Sequence, residues 1–155
     1  SGRCRCSPDR VLAYRSRISG PLLDRIDLAI DVPALPPGEI AIGSEDPDAE
    51  PSSRVRERVT GARARQHARQ GTCNARLTVA DLQRHGVPDA RARELATRAM
   101  ARYALSARAY HRILKVARTI ADLAGAENVG TAHVAEAISM RRLDAPAGAD
   151  PPPAA

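Results

Sequence analysis

The sequence predicts a mainly α-helical fold: a bundle of four or so helices after Ser52, preceded by a short piece of a sheet-containing module with one strand. Apolar residues recur at helical spacing through most of the chain after Ser52. Hydrophobic residues make up 43% of the 155 residues, but Phe and Trp are absent and there are only 3 Tyr. The core must therefore be built from Leu, Ile, Val and Ala, which favours close helix–helix packing.

The first 33 residues predict one helix and one strand. Ser7 is a suitable N-cap, and Pro8 suits the first helical position. We expect this helix to end near Arg17, before Ser19-Gly20-Pro21. Apolar residues then alternate with Asp and Ala in the period of a strand with one buried face, at Ile26, Leu28, Ile30 and Val32. A lone strand leaves its backbone unpaired, so we expect partner strands before Ser1 and a chain that is a piece of a longer polypeptide.

The segment 34–51 is rich in Pro, Gly, Asp and Glu and predicts a flexible loop. A helix is expected from Ser52 to Gln70. Its apolar stripe is narrow, at Val55, Val59 and Ala62. Six arginines crowd the rest of it: Arg54, Arg56, Arg58, Arg63, Arg65 and Arg69.

Four further helices follow. Thr78 is expected to cap a helix that runs through Arg84, and Pro88 to begin one that reaches about Tyr103. Ser106 is expected to cap the next, and Thr131 a last helix to about Leu143. In the Ser106 helix, one face is apolar (Ile113, Val116, Ala117, Ile120 and Ala124) and the opposite face is polar (Arg108, Arg112, Lys115 and Asp122). Residues 52–144 thus predict one helical domain, and 145–155 a disordered Pro/Ala tail.

Charge and cysteine content indicate the kind of partner and the cellular compartment of this protein. Lys and Arg number 24 against 18 Asp and Glu, a net charge of +6 that favours a nucleic-acid or nucleotide partner. Three cysteines and no signal peptide indicate a reducing cytoplasm rather than a disulfide scaffold. No apolar run reaches membrane-spanning length, so no membrane partner is expected. Cys4 and Cys6 could supply half of a zinc site, but two free thiols are the favoured interpretation.

The sequence carries no complete catalytic motif. There is no Gly-x-x-x-x-Gly-Lys-Ser/Thr loop, and Lys115, the only lysine, has no neighbouring glycines. The four histidines have no metal-binding spacing. We therefore do not expect this chain to hydrolyse ATP by itself.

Two arginines are candidates for contact with phosphate. Arg25 lies in a tight turn between Asp24 and Asp27, where a surface ion pair worth roughly 0–1 kcal/mol is the simple alternative to a phosphate-facing role. Arg108 lies near a helix N-terminus, where a cation is mildly unfavourable against the helix dipole. From the residues alone, an ordinary solvated arginine explains Arg108 almost as well.

Several long motifs, in order, resemble the ComM branch of the magnesium-chelatase-like AAA+ ATPases. They include Cys4-Arg5-Cys6-Ser7-Pro8 and the run Ile18-Ser19-Gly20-Pro21-Leu22-Leu23-Asp24-Arg25-Ile26-Asp27. They continue through Leu105-Ser106-Ala107-Arg108 and Val116-Ala117-Arg118-Thr119-Ile120-Ala121-Asp122. The resemblance covers nearly the whole chain apart from the acidic loop and the tail.

The resemblance implies a ring-forming ATPase, in a branch associated with DNA branch migration by helicase-type action during natural transformation. It makes 1–33 the end of the ATPase core and 52–144 the helical lid. Arg25 matches the arginine finger, which acts in trans, and Arg108 matches the sensor-2 arginine. ATP and Mg²⁺ would be the cofactors of the longer protein, with none bound by this fragment. The implied partners are its own N-terminal ATPase core, neighbouring subunits of a homo-oligomeric ring, and DNA.

Two alternatives stay open. A subunit of a magnesium chelatase proper, which inserts metal into porphyrin, would share the lid, although the Cys-x-Cys pair and the Ile18–Asp27 run favour the ComM branch. A stand-alone basic helical DNA-binding module would use the arginine-rich helix to displace counterions from phosphates. Against that, the helix contains no aromatic residue to stack on bases, and a solvated face is the simpler interpretation.

Overall fold

The computed structural model describes residues 5–19, 22, 25–30, 32–34 and 49–141. This part of the chain contains six α-helices and one 3-10 turn, so the mainly α-helical class is confirmed. The helices are α1 (Pro8–Arg15), α2 (Ser52–Gln70), α3 (Val79–His85), α4 (Ala90–Tyr103), α5 (Ala107–Leu123) and α6 (Thr131–Ser139), and the 3-10 turn is Asn74–Arg76. Within these residues, no helix has both the length and the apolar character that crossing a bilayer requires.

Two of the predicted helix caps are confirmed. The Thr78 hydroxyl accepts a hydrogen bond from the Asp81 amide at 3.2 Å, and the Asp81 carboxylate accepts one from the Thr78 amide at 3.0 Å. This reciprocal pair satisfies two amides that the first turn leaves free. The Ser106 hydroxyl accepts from the Ala109 amide at 3.1 Å and so caps α5.

Two predicted helix starts were wrong by one or two residues. α4 begins at Ala90, because the Asp89 carboxylate accepts from the Ala92 amide at 2.8 Å and makes Asp89 the cap. Pro88 instead pairs with Val129 in a short parallel bridge that joins the starts of α4 and α6. α6 is preceded by Gly130, and Thr131 is its first residue. It ends at Ser139, short of the predicted Leu143, which lies outside the described residues.

The predicted strand is not formed by the described residues 26–30 and 32–34. Its alternating apolar side chains are between 38% and 86% exposed, at Ile26, Leu28, Ile30 and Val32. A strand needs a neighbouring strand to pair its backbone, and here the Ala29 amide instead donates to the Met140 carbonyl at 2.7 Å. That bond ties the segment to the end of α6. Most of the predicted 34–51 loop and all of the 145–155 tail lie outside the described residues.

α5 is the central helix and is buried on two sides. On one side Ile113, Ala117 and Ala121 pack against α4 and α6, together with Ala92, Ala96, Val129, Val134 and Ala137. On another side Leu114 packs with Leu77 and Leu82. Eight of the fourteen buried hydrophobic residues in the described part are alanines. Small side chains allow the helices to approach closely, as the composition predicts.

α2 packs against α5 through its C-terminal half. Ala62 and Gln66 are buried there, whereas Val55 and Val59, nearer the start of the helix, are 37% and 43% exposed. The helix ends at Gly71, whose φ of 73° is a left-handed conformation that glycine adopts without steric cost. The turn at Gly71 leads the chain into the 3-10 turn and α3.

Candidate functional site

A basic cleft lies between α3 and the first three turns of α5. Its volume is about 360 Å³, and it is lined by Leu77, Val79, Leu82, Arg108, His111, Arg112 and Lys115. Of the described residues that line it, none is acidic. Two guanidinium groups, an ammonium and an imidazole around an apolar floor provide donors and positive charge, so the cleft suits an anionic ligand.

The fold of α5 sets the direction of these cations. Ser106 fixes the start of the helix, and the buried alanine face fixes its rotation. Arg108, Arg112 and Lys115 follow at spacings of four and three residues and therefore share one face. Arg108 is exposed, while Arg112 and Lys115 are partly buried. Lys115 Nζ donates to the Ala75 carbonyl at 3.1 Å, which links the cleft to the 3-10 turn. The predicted polar face is confirmed for these three residues.

Arg25 lies next to the cleft rather than inside it. Its amide donates to the Leu22 carbonyl at 3.0 Å, which closes a turn. Arg25 as a whole is exposed. Its carbonyl oxygen accepts a hydrogen bond of 2.6 Å from Arg112 Nη1, and the same nitrogen forms an ion pair with Asp27. Asp27 was interpreted as a possible partner of Arg25, but the structure pairs it with Arg112. The role of Arg112 was missed by sequence reasoning, and Asp24 lies outside the described residues.

A second polar cluster is buried where α2, α5 and the 3-10 turn meet. Arg69 Nη1 and Nη2 donate to Asp122 Oδ1 and Oδ2 at 2.7 Å and 3.0 Å. Asn74 Nδ2 donates to Oδ2 at 2.8 Å, and Arg118 Nη2 lies 2.9 Å from Oδ1. Arg118 also donates to the carbonyls of Glu127 and Ala126, both at 2.7 Å.

Asp122 lies on the predicted polar face of α5, but its side chain is only 1% exposed. The polar side of α5 is covered at that point by α2 and the 3-10 turn. A signal was present in the sequence: Arg69 lies three and seven residues after Gln66 and Ala62, so it shares the face of α2 that is buried.

The charges around Asp122 decide its ionisation. Burial by itself would raise the pKa of the Asp122 carboxyl. The hydrogen bonds from Arg69 and Asn74 and the positive charges of Arg118 and Arg69 outweigh burial and hold that pKa below its ordinary value. Burial lowers the pKa of Arg118, and the charge of Asp122 opposes this. The cluster therefore depends on an ionised Asp122.

The arginines of α2 do not form one surface. Arg58 pairs with Glu50 at 2.6 Å, Arg65 donates to the Asp122 carbonyl at 2.9 Å, and Arg69 belongs to the buried cluster. Helical spacing places Arg54, Arg58 and Arg65 on one flank and Arg56 and Arg63 on the other. Arg54, Arg56 and Arg63 are exposed. That these residues contact nucleic acid stays a prediction.

The structure leaves the predicted zinc half-site untested, because Cys4 lies outside the described residues. Cys6 is exposed, Cys73 is partly buried, and both are free thiols. Over the described ranges there is no group of three or more His, Cys, Asp or Glu side chains placed to hold a metal ion.

Comparison with known protein families decides the membership of this chain. Residues 49–141 match the family model of the C-terminal region of magnesium chelatase subunit ChlI, and residues 1–40 match that of magnesium chelatase subunit ChlI. The chain belongs to the magnesium chelatase ChlI family. The first match contains α2 to α6, the basic cleft and the buried cluster.

Curated relatives connect the chain to ComM-like proteins of this family. It is 41% identical over 143 residues to the YifB protein of Salmonella typhimurium and 41% identical over 139 residues to competence protein ComM of Haemophilus influenzae. It is 37% identical over 140 residues to YifB of Escherichia coli. Each match covers 90% of this chain and 27% of the relative, so the chain spans about a quarter of the length of these proteins. The predicted relation to ComM-like, magnesium-chelatase-related proteins is confirmed.

Proposed function

We propose that this chain is the lid-bearing C-terminal part of a ComM-like AAA+ ATPase, in which it senses bound nucleotide and supplies an arginine to the neighbouring subunit. The observation that carries the proposal is the basic cleft. Arg108, Arg112 and Lys115 line about 360 Å³ of space, and no described acidic residue lines it. Guanidinium groups bind phosphate oxygens through paired, charge-assisted hydrogen bonds, and the charge complements a nucleotide polyphosphate.

The residues of the cleft fit the phosphates of ATP better than they fit Mg²⁺. Arg108 and Lys115 can donate to phosphate oxygens, whereas Mg²⁺ prefers carboxylate and water oxygens. The proposal therefore assigns the metal-holding carboxylates and the phosphate-binding loop to an N-terminal ATPase core in the longer polypeptide. ATP would supply the phosphoryl group whose transfer releases free energy.

Arg108 and Arg25 have different tasks in this proposal. Arg108 is exposed at the start of α5 and neutralises phosphate charge in its own subunit. Arg25 is exposed on a turn outside the cleft, and its side chain would reach the ATP of the adjacent subunit. There it would stabilise the charge that develops on the transferred phosphate.

Arg108→Ala tests the sensing role in the longer polypeptide that contains this chain. Loss of a hydrogen bond to a charged phosphate should lower kcat/KM for ATP by about 10- to 100-fold. Far-UV circular dichroism should be unchanged, because Arg108 is exposed. Arg98→Ala, which breaks an exposed ion pair with Glu94 on α4, is the matched control and should keep normal turnover. A wild-type rate in Arg108→Ala would remove the sensor role.

DNA is the proposed substrate of the complete ring, an assignment supported by the name of the Haemophilus relative, competence protein ComM. Exchange of Arg54, Arg56 and Arg63 for alanine should weaken DNA binding and reduce the slope of log K against log salt by about 0.9 for each DNA phosphate that is no longer neutralised. Exchange of Arg91, Arg98 and Arg102 on α4 removes the same charge and should leave the salt dependence unchanged. An equal effect of both triple exchanges would contradict a specific role of α2.

DNA binding by this chain alone and the stimulation of ATP turnover separate the competing functions. DNA binding by this chain alone, at the affinity of the complete protein, would favour a stand-alone DNA-binding module. The name of the matched family, magnesium chelatase, is what supports the alternative of magnesium insertion into a porphyrin. ATP turnover that is stimulated by porphyrin and not by DNA would support that alternative.

A further inference from the structure

Arg112 connects the basic cleft to the turn that carries Arg25. It lines the cleft, and its Nη1 donates both to the Arg25 carbonyl, at 2.6 Å, and to the Asp27 carboxylate. The side chain of Arg112 is 27% exposed and that of Asp27 is 52% exposed. Two hydrogen bonds that span 87 and 85 residues of sequence thus meet at one nitrogen atom.

One further hydrogen bond lies within this segment, and another attaches it to the helical domain. The Arg25 amide donates to the Leu22 carbonyl at 3.0 Å, and the Ala29 amide donates to the Met140 carbonyl at 2.7 Å. The backbone of residues 25–29 is therefore attached both to α5 and to the end of α6. Arg25 is exposed, although its backbone is held by these hydrogen bonds.

Arg108 and Arg112 are one turn apart on the same rigid helix. Ile113, Ala117 and Ala121 pack α5 into the core, so the backbone at Arg108 and the backbone at Arg112 move together with the helix. Because Arg112 holds the Arg25 carbonyl, such a displacement would also move the turn that presents Arg25. The position of α5 at Arg108 therefore also affects the position of Arg25.

We propose that Arg112, with Asp27, is a positioning residue that fixes the Arg25 turn to the lid. The nucleotide state sensed in one subunit then sets the position of the Arg25 side chain that reaches the next subunit. This rests on the proposed function. Arg112 acts through Arg25, and its loss displaces a group that must be placed within about 1 Å. Asp27 distinguishes this role from direct nucleotide binding, because Asp27 does not line the cleft.

The test compares Arg112→Ala, Asp27→Ala and the double variant in the longer polypeptide. Both single variants should lower kcat for ATP by roughly 10- to 100-fold, the effect of a misplacement of about 1 Å. KM for ATP should change little in Asp27→Ala. The double variant should be no slower than the slower single variant, because both exchanges break the same attachment. Arg98→Ala is the control for loss of an exposed ion pair and should have wild-type kinetics.

The outcomes separate this inference from the function on which it rests. Wild-type turnover in both Arg25→Ala and Arg108→Ala would overturn the proposed function. If those two variants are slow while Asp27→Ala has wild-type kcat, the function stands and the positioning role is wrong. A double variant whose loss is the product of the single losses, or an Arg112→Ala defect confined to KM, would also overturn it.

Discussion

If Arg25 acts in trans as proposed, its exchange for alanine should lower kcat for ATP hydrolysis in the assembled protein by on the order of 10³-fold, with a limit near 10⁵. An arginine supplied to a phosphoryl-transfer site stabilises the charge of the transition state more than that of bound ATP, so kcat falls and ATP affinity is retained. The exposed position of Arg25 means that the exchange should leave the fold intact. Steady-state kinetics at several ATP concentrations measures the split between kcat and KM.

Mixed rings show whether Arg25 acts on the neighbouring subunit. An Arg25→Ala subunit keeps Arg108, and an Arg108→Ala subunit keeps Arg25. Where the two meet in the right order, one nucleotide site regains both arginines, so a mixture should turn over faster than either variant alone. Arg17→Ala, another exposed arginine of the N-terminal segment, is the control. A mixture that gains nothing would show that Arg25 does not act in trans.

Exchange of Asp122 for alanine should destabilise this chain by about 3–5 kcal/mol, the typical cost of removing one partner of a buried ion pair. Asp122 is 1% exposed and accepts from Arg69 and Asn74, and it also pairs with Arg118, whose side chain is 3% exposed. Removal of the carboxylate leaves the Arg118 guanidinium buried without its anion. Urea unfolding followed by far-UV circular dichroism measures the loss.

Two comparisons make this result interpretable. Glu94→Ala removes an exposed carboxylate of the same charge class and should change the free energy of unfolding by less than about 0.5 kcal/mol. Arg118→Met combined with Asp122→Ala removes the orphaned charge, so the double variant should be more stable than the sum of the single effects predicts. Additive losses would show that the pair is not coupled.

The pH dependence follows from the same carboxylate. Its pKa is lower in the folded chain than in the unfolded chain, so the unfolded chain takes up the proton first as pH falls. The stabilisation that the ionised carboxylate provides is present above the ordinary pKa of Asp, about 3.9. It is lost as pH falls through the lower pKa that this carboxyl has in the folded chain. The wild-type chain should therefore lose stability below about pH 4, and Asp122→Ala should lose less over that interval.

Local chemistry was enough to predict most of the helices. The caps at Thr78 and Ser106, the helical spacing in α5 and the end of α2 at Gln70 depend on residues within a few positions of one another. The alanine-rich core followed from a composition without Phe or Trp. The motifs were long enough to indicate the family, and the cations of the cleft were placed on the correct face of α5.

Apart from the starts of α4 and α6, the missed features depend on contacts between distant parts of the chain. Arg69 meets Asp122 across 53 residues, and Arg112 meets Arg25 across 87. Helical period says which residues share a face, but it does not say which faces another helix covers. Helical period placed Asp122 on the polar side of α5, and only the packing of α2 made that side an interior. The prediction of a strand failed for the same reason, because a strand needs a neighbouring strand to pair with and the described residues do not supply one.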